Sequence, residues 1–290
     1  MKLSVLANPD KYSIKAPLTN AIKWCLKNGH ELHIQKLLGE QFADLIGSPL
    51  IHLFENEEQC IVDTDYVIAI GGDGTLLHSA QIVKKSGIPI LGINTGKLGF
   101  MANVQPHQTE KALQDLVDKK FRIDERALLK ATSKSGMSCF ALNELLFTKK
   151  DTSSLITLNA FYDGELLNRF WADGLIVATP TGSTAYNLSA GGPIVMPGTP
   201  VMILTPINPH TLTTRPLVIP ADKSLVIEIE GESEHILFSY DGKAFGGEIK
   251  QIEITQSDFT VKLVQLLDQT YFKTLRSKLM WGLDNRQKSE

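Results

Sequence analysis

The chain has 290 residues, 43% of them apolar, and its 29 basic and 32 acidic side chains leave a net charge of −3. That length accommodates two domains of ordinary size, and that apolar fraction supplies real cores. The balanced charge, with no basic block, excludes a general nucleic-acid binder, and no apolar run approaches the roughly 20 residues that cross a bilayer. Cys25, Cys60 and Cys139 lie far apart with no disulfide or metal spacing, which reads as reduced thiol in a cytosolic protein. Met1 to Asp10, with one lysine and an Asn8-Pro9-Asp10 ending, does not read as a signal peptide.

The first part of the chain alternates strands and helices. Leu3 to Ala7 predicts a strand. Leu18 to Asn28 predicts a helix with Ala21, Ile22, Cys25 and Leu26 on one side and Gly29 as its stop. Strands follow at Glu31 to Ile34, Tyr66 to Ile70 and Ile88 to Ile93. Helices are expected at Thr75 to Ser86, closed by Gly87, and at Thr109 to Lys119. This rhythm implies a parallel sheet flanked by helices.

The character changes near Phe121, and strand patterns dominate from Arg126 on. Leu155 to Tyr162, Asp163-Gly164 and Glu165 to Phe170 predict a hairpin with a tight turn. Leu175 to Ala178, Leu225 to Glu230, His235 to Tyr240 and Ile249 to Thr255 follow as strands. Tyr271 to Trp281 reads as a helix with Phe272, Leu275 and Leu279 on one stripe, and Asn285 to Glu290 as a disordered end. The expected fold is therefore α/β with a parallel sheet over residues 1–122, with 268–290 packing back on it, and mainly β over 123–267.

Gly71-Gly72-Asp73-Gly74-Thr75 holds a carboxylate among glycines where a strand hands over to a helix. Glycine lets the backbone turn sharply and approach a ligand, and the helix start offers unpaired N–H groups suited to phosphate. A polyphosphate beside an acid is the layout of a phosphoryl-transfer site, although a glycine-rich turn with a capping aspartate would use the same residues. His78 lies about one helical turn beyond Gly74 and can face the same place.

Asn94-Thr95-Gly96-Lys97-Leu98-Gly99-Phe100 is a second glycine element after a strand. It is not a P-loop, because Leu91 stands where that motif needs glycine and Leu98 where it needs Ser or Thr. Asp173 to Pro193 (DGLIVATPTGSTAYNLSAGGP) gathers hydroxyls and small residues around Tyr186, whose ring offers a face for a base. Asn143-Glu144 interrupts the apolar run Phe140 to Phe147; the pair either points to solvent or hydrogen-bonds a ribose or amide. His30 and His33 lack a nearby third ligand in the sequence and predict no zinc site. His210, in Pro206-Ile207-Asn208-Pro209-His210, marks a bend.

Together these residues resemble the NAD kinase family. The resemblance rests on GGDGT at Gly71 to Thr75, N-x-G-x-x-G-F at Asn94 to Phe100, Asn143-Glu144, Asp173-Gly174, TPTGSTAY at Thr179 to Tyr186 and Ser189 to Pro193. Pro209-His210, Arg215-Pro216 and Leu275-Arg276 also fit, so it covers about Val67 to Trp281. GGDGT alone is shared with lipid kinases, and a non-catalytic NAD sensor is the rival from another class.

The resemblance implies ATP-dependent phosphorylation of the adenosine ribose 2′-hydroxyl of NAD, at a site between an α/β and a β-rich domain. It implies a divalent metal, usually magnesium, and a homodimer or homotetramer. Asp73 resembles the general base. The residues expected to meet NAD are Asp73, Gly74, His78, Asn143, Glu144, Asp173, Thr184, Ala185, Tyr186, Asn187, Leu188, Ser189 and Asn208. Those expected to meet the phosphate donor are Gly71, Gly72, Thr75, Asn94 and Gly96. Trp171, Asn208 and Lys243 depart from residues frequent in other members, and the choice between NAD and NADH stays open.

Overall fold

The computed structural model describes residues 1–42, 47–96, 99–150, 154–231, 233–247 and 249–281. The expected disordered end, Asn285 to Glu290, lies outside them. The chain forms two compact units, Met1–Asp124 with the segment from Lys262 on, and Glu125–Val261.

The first unit runs β1 (Lys2–Ala7), α1 (Lys15–Asn28), β2 (Glu31–Gln35), α2 (Lys36–Gly39), β3 (Ile51–Phe54), α3 (Glu57–Cys60), β4 (Tyr66–Gly71), α4 (Asp73–Val83), β5 (Ile90–Asn94) and α5 (Thr109–Val117). Its strands pair in parallel in the order β5-β4-β1-β2-β3. β1, β4 and β5 are buried along almost their whole length, as continuous apolar strands covered on both faces must be. α1 buries Leu18, Ala21, Ile22 and Cys25 in the same core and ends at Gly29, whose φ of +71° closes the helix in the left-handed region.

The chain lays β2 and β3 on one side of β1, then returns to place β4 and β5 on the other. The strand order thus reverses between β1 and β4, where open α/β sheets leave a crevice beyond their carboxyl ends. Residues 262–266 join this unit: Leu263 pairs in parallel with Ile90, and Val264 and Leu266 enter its core. The terminal helix, Tyr271–Leu279, buries Thr274 and Leu275. Phe272 is 55% exposed, so the stripe expected from Phe272, Leu275 and Leu279 is not the buried one.

The second unit contains β6 (Phe121–Ser133), which enters it from the first, then β7 (Ser138–Ala141), β8 (Glu144–Lys149), β9 (Ile156–Tyr162), β10 (Glu165–Ala172), β11 (Gly174–Ala178), α6 (Tyr186–Ser189), β12 (Val201–Ile207), β13 (Leu217–Pro220), β14 (Leu225–Glu230), β15 (Ile236–Tyr240), β16 (Lys243–Ala244) and β17 (Gln251–Leu266). One antiparallel layer is ordered β10-β9-β14-β17 and the other β13-β12-β11-β8-β15-β16. Alternate residues of both meet in one core, Leu158, Leu225 and Ile252 against Phe147, Val177 and Leu204. The β9–β10 turn has Asp163 at φ +52° and Gly164 at φ +83°, the conformation the Asp-Gly signal predicts.

The apolar run Phe140 to Phe147 divides between two strands: β7 ends at Ala141, β8 starts at Glu144, and the two pair with different neighbours. One expectation needs correction here. The strand expected at Ile249 to Thr255 begins at Gln251 and runs to Leu266. Among the described residues no helix is long and apolar enough to cross a membrane.

Candidate active site

The β4–α4 turn is built on close approach. A Cβ on Gly71 would sit 2.1 Å from the Thr75 hydroxyl, so only glycine lets the strand end against the first turn of α4. Asp73 is the first residue of α4, where a carboxylate complements the helix dipole. Its side chain turns to the loop after β5. Phe100 N–H donates to Oδ2 at 2.8 Å, and the Met101 and Ala102 N–H groups donate to Oδ1 at 3.1 and 3.0 Å. A Cβ on Gly99 would meet Oδ1 at 2.0 Å, which explains the glycine there. Three of the four lone-pair sites of a carboxylate are thus occupied, leaving one on Oδ2 for a ligand.

Beside this turn lies a cavity of about 510 Å³ at the reversal of strand order, bounded by Asn8 after β1, Gln35 at the end of β2, and Gly72, Gly74, Thr75 and His78 of the turn and α4. Lys11 brings a positive charge to it. His78 Nε2 pairs with Glu57 at 2.5 Å, so a second acid flanks the cavity. Asn94 is buried: its amide donates to the Ala102 carbonyl at 3.1 Å, and its Oδ1 accepts from Gly96 N–H at 2.8 Å. The side chain of Asn94 therefore shapes the loop that grips Asp73.

In the second unit the break between β7 and β8 is held by a distant carboxylate. Asp241 accepts from the N–H groups of Leu142, Asn143 and Glu144 at 2.7, 2.8 and 3.2 Å. Across from it, Thr179 donates its hydroxyl to the Leu142 carbonyl at 2.6 Å and its N–H to the Asn143 carbonyl at 2.8 Å. Asn143 and Glu144 are thereby fixed beside the segment from Thr179 to Ser189.

Burial, and secondarily the charge of Asp241, push the Glu144 carboxyl up to about 7, opposed by a hydrogen bond from the Tyr186 backbone. Glu144 Oε2 is buried without a hydrogen-bond partner. The pKa is raised above its unfolded value, so folding takes up a proton here, and the stability this supplies at low pH is lost as pH rises toward about 7. A Glu144→Gln variant will therefore gain on the wild type by up to about 3 kcal/mol between roughly pH 5 and pH 8, at 1.36 kcal/mol per pKa unit. Denaturant unfolding of both proteins without nucleotide measures this gap; a gap independent of pH contradicts it.

The other expected residues divide into exposed and committed. Tyr186 is 43% exposed, Ser189 is exposed, and Thr184, Ala185 and Leu188 are half-buried. Asn187 is fully buried: its amide donates to the carbonyls of Ser183 and Pro193, each at 3.1 Å, and its Oδ1 accepts from Thr205 at 2.6 Å. The side chain of Asn187 thus ties the segment to β12. Asp173 bonds Lys149 Nζ at 2.6 Å and Asn208 Nδ2 at 3.1 Å. Lys149 first and Asn208 second hold its carboxyl below its ordinary value. Asn208 has φ +45°, and beyond that bend the His210 ring packs at a tilt of 38° against Trp171, with centroids 4.2 Å apart.

Residues 5–121 match the ATP-NAD kinase N-terminal domain and residues 142–266 the ATP-NAD kinase C-terminal domain. The chain belongs to the NAD kinase family. An NAD kinase of Cytophaga hutchinsonii is 44% identical over 264 residues, 87% of this chain and 90% of that protein. One from Bacteroides fragilis strain ATCC 25285 is 42% identical over 276 residues, 90% and 95% of the two. Among solved structures, yeast NADH kinase complexed with NADH superposes with a TM-score of 0.87 at 27% identity, covering 98% of this chain and 89% of that one. An NAD kinase from Archaeoglobus fulgidus in complex with ATP gives 0.75 at 25% identity, covering 97% and 99%.

Of the motifs that marked the NAD kinase resemblance, GGDGT meets N-x-G-x-x-G-F at Asp73, and the start of TPTGSTAY meets Asn143-Glu144 at the β7–β8 break. The sequence reading gave no holding role to Asp241, to Lys149 or to Thr179, although Thr179 opens the TPTGSTAY motif. Asp241-Gly242 was the available signal: φ of +46° and +78° place it in the same kind of turn as Asp163-Gly164. Nothing in the sequence tied that turn to Leu142, 99 residues away.

Proposed function

We propose that the chain transfers the terminal phosphoryl group of ATP to the 2′-hydroxyl of the adenosine ribose of NAD. The observation that carries this is Asp73, set on the first turn of α4 at the reversal of strand order, with glycines on either side that line a cavity. A ribose hydroxyl is a weak nucleophile, and phosphoryl transfer has a largely dissociative transition state, so positioning and charge matter more than a strong base. The remaining lone pair of Asp73 takes the hydroxyl proton late, as the new bond forms. N–H groups at the start of α4, with Gly71, Gly72, Thr75 and the Asn94–Gly96 turn, receive the donor's phosphates, and Lys11 adds countercharge.

Asn143 and Glu144 accept and donate to ribose hydroxyls, which gives the unpartnered Oε2 of Glu144 its partner. Tyr186 stacks on the adenine, and Thr184 to Ser189 wrap the nucleoside through exposed edges and backbone. Asp173 and Asn208 meet the nicotinamide end, and His78 with Glu57 borders the phosphates. Tyr186→Ala should weaken NAD binding by about 1–3 kcal/mol with turnover at saturation nearly intact, the value of one base stack. Titration showing unchanged affinity removes Tyr186 from that role.

The reaction calls for a divalent metal, magnesium by preference. Both oxygens of Asp73 already face N–H donors, and Glu57 is paired with His78, so the ion would be held mainly by the donor's phosphates and water, with Glu57 an acid lining the cavity. When bound it neutralises charge on the transferred group. We place the enzyme in the cytoplasm as a homodimer or homotetramer. Burial pushes the thiols of Cys25, Cys60 and Cys139 to about 12, consistent with inert reduced cysteines. Incubation with NAD or NADH, ATP and magnesium, followed by assay of the phosphorylated product, tests the reading. Phosphorylation of diacylglycerol instead, or tight NAD binding without transfer, refutes it.

A further inference from the structure

We propose that Glu31, His33 and His52 form a binding site for a single zinc-like divalent ion on the β2–β3 edge of the parallel sheet. Glu31 and His33 are two residues apart in β2 and so share a face. β3 pairs in parallel with β2, and the register sets His52 directly beside His33. The two rings meet edge-to-face at 5.5 Å between centroids. One ligand atom from each of the three residues lies within 4.8 Å of the other two, and His52 Nε2 is 3.7 Å from Glu31 Oε2. Sequence spacing alone hid this set, because the third ligand, His52, comes from the neighbouring strand β3.

The orientation of His33 argues for a metal over a chance cluster. His33 is 6% exposed, and its Nδ1 lies 3.0 Å from the Cys60 carbonyl oxygen. A carbonyl only accepts, so Nδ1 carries the hydrogen and the other ring nitrogen of the neutral imidazole is a bare lone pair. Thr64 Oγ1 donates to the same carbonyl at 3.1 Å and lies 3.3 Å from Nδ1, which fixes the ring further. Metal-bound histidines are held in this way, by a carbonyl on the nitrogen that does not ligate.

Two imidazoles and a carboxylate suit zinc in a four-coordinate site with water in the last position. Magnesium and calcium prefer all-oxygen shells. Glu31 and His52 are partly exposed, so the ion has a way in and the two side chains have room to close on it. Bound there, it ties the four-residue edge strand β3 to β2.

The test uses the untagged full-length protein stripped of metal, with zinc chloride as the probe and no nucleotide, so it is independent of the kinase reading. Calorimetry should show one equivalent bound, unaffected by excess magnesium. Cobalt in its place should give the visible absorption of a four-coordinate ion, and zinc should raise the melting temperature reversibly with chelator. His52→Ala and Glu31→Gln, both on exposed side chains, should each weaken binding roughly tenfold or more and abolish the thermal shift, with NAD phosphorylation unchanged. Absence of zinc uptake by the wild type, or equal affinity in both variants, overturns the proposal.

Discussion

Replacing Asp73 with asparagine will leave a folded protein that still binds NAD but turns it over at least about a hundredfold more slowly. Two losses combine. Asparagine cannot take the proton of the ribose hydroxyl, and a positioned general base contributes about 10²–10⁴-fold. Asparagine also offers one oxygen where aspartate offers two. Whichever way its amide points, an NH₂ group faces the Phe100 N–H or the Met101 and Ala102 pair. Donor against donor costs about 1–3 kcal/mol where water is excluded, and losing a negative charge at a helix start costs about 0.3–1 kcal/mol more. The variant should therefore melt at a lower temperature as well. Gly99→Ala separates the two losses, because it keeps the carboxylate and forces a Cβ into its Oδ1. Near-normal turnover by Asp73→Asn in an NADP-specific assay defeats the proton-acceptor role.

The second large effect is expected at Gly182. A Cβ there would lie 2.0 Å from the Asn143 carbonyl oxygen and 2.5 and 2.7 Å from its carbonyl carbon and Cα, all backbone atoms. Neither side can yield easily. Gly182 N–H donates to Thr179 Oγ1 at 3.0 Å, and Thr179 in turn bonds Leu142 and Asn143. Gly182→Ala should cost about 1–3 kcal/mol, typical of an overpacked site, and lower the melting temperature by several degrees. Because the displaced atoms carry Asn143 and Glu144, the KM for NAD should rise more than the melting shift alone implies. A thermal melt and a KM at saturating ATP decide the matter; wild-type values for both mean the contact is looser than described.

The elements that were legible in the sequence are those whose signals are local. Gly29, Gly87 and Asp163-Gly164 all adopt the positive φ their residue types favour, and the buried apolar strands of the first unit read directly as such. β3 was missed because it is only four residues long and lies at an edge, with His52 and Leu53 exposed and no clean alternation. β17 was cut short because polar residues interrupt its middle while pairing continues toward Leu263. For the site, the motif residues were legible, but what grips them was not. The hydrogen bonds that hold Asp73 go to backbone atoms, which leave no mark on residue type. Asn187 was expected at the ligand from its place in the family-like stretch Thr184 to Ser189, and its burial commits its side chain to the carbonyls and hydroxyl around it.

The two units use the same device, one aspartate clasping three successive amides, Asp73 on residues 100–102 and Asp241 on 142–144. Converging amides of this sort make a concavity that would otherwise trap stray sulfate or phosphate. Here each concavity is plugged by a counter-anion tethered to the chain, which cannot diffuse away. Free oxyanions are therefore shut out of both concavities.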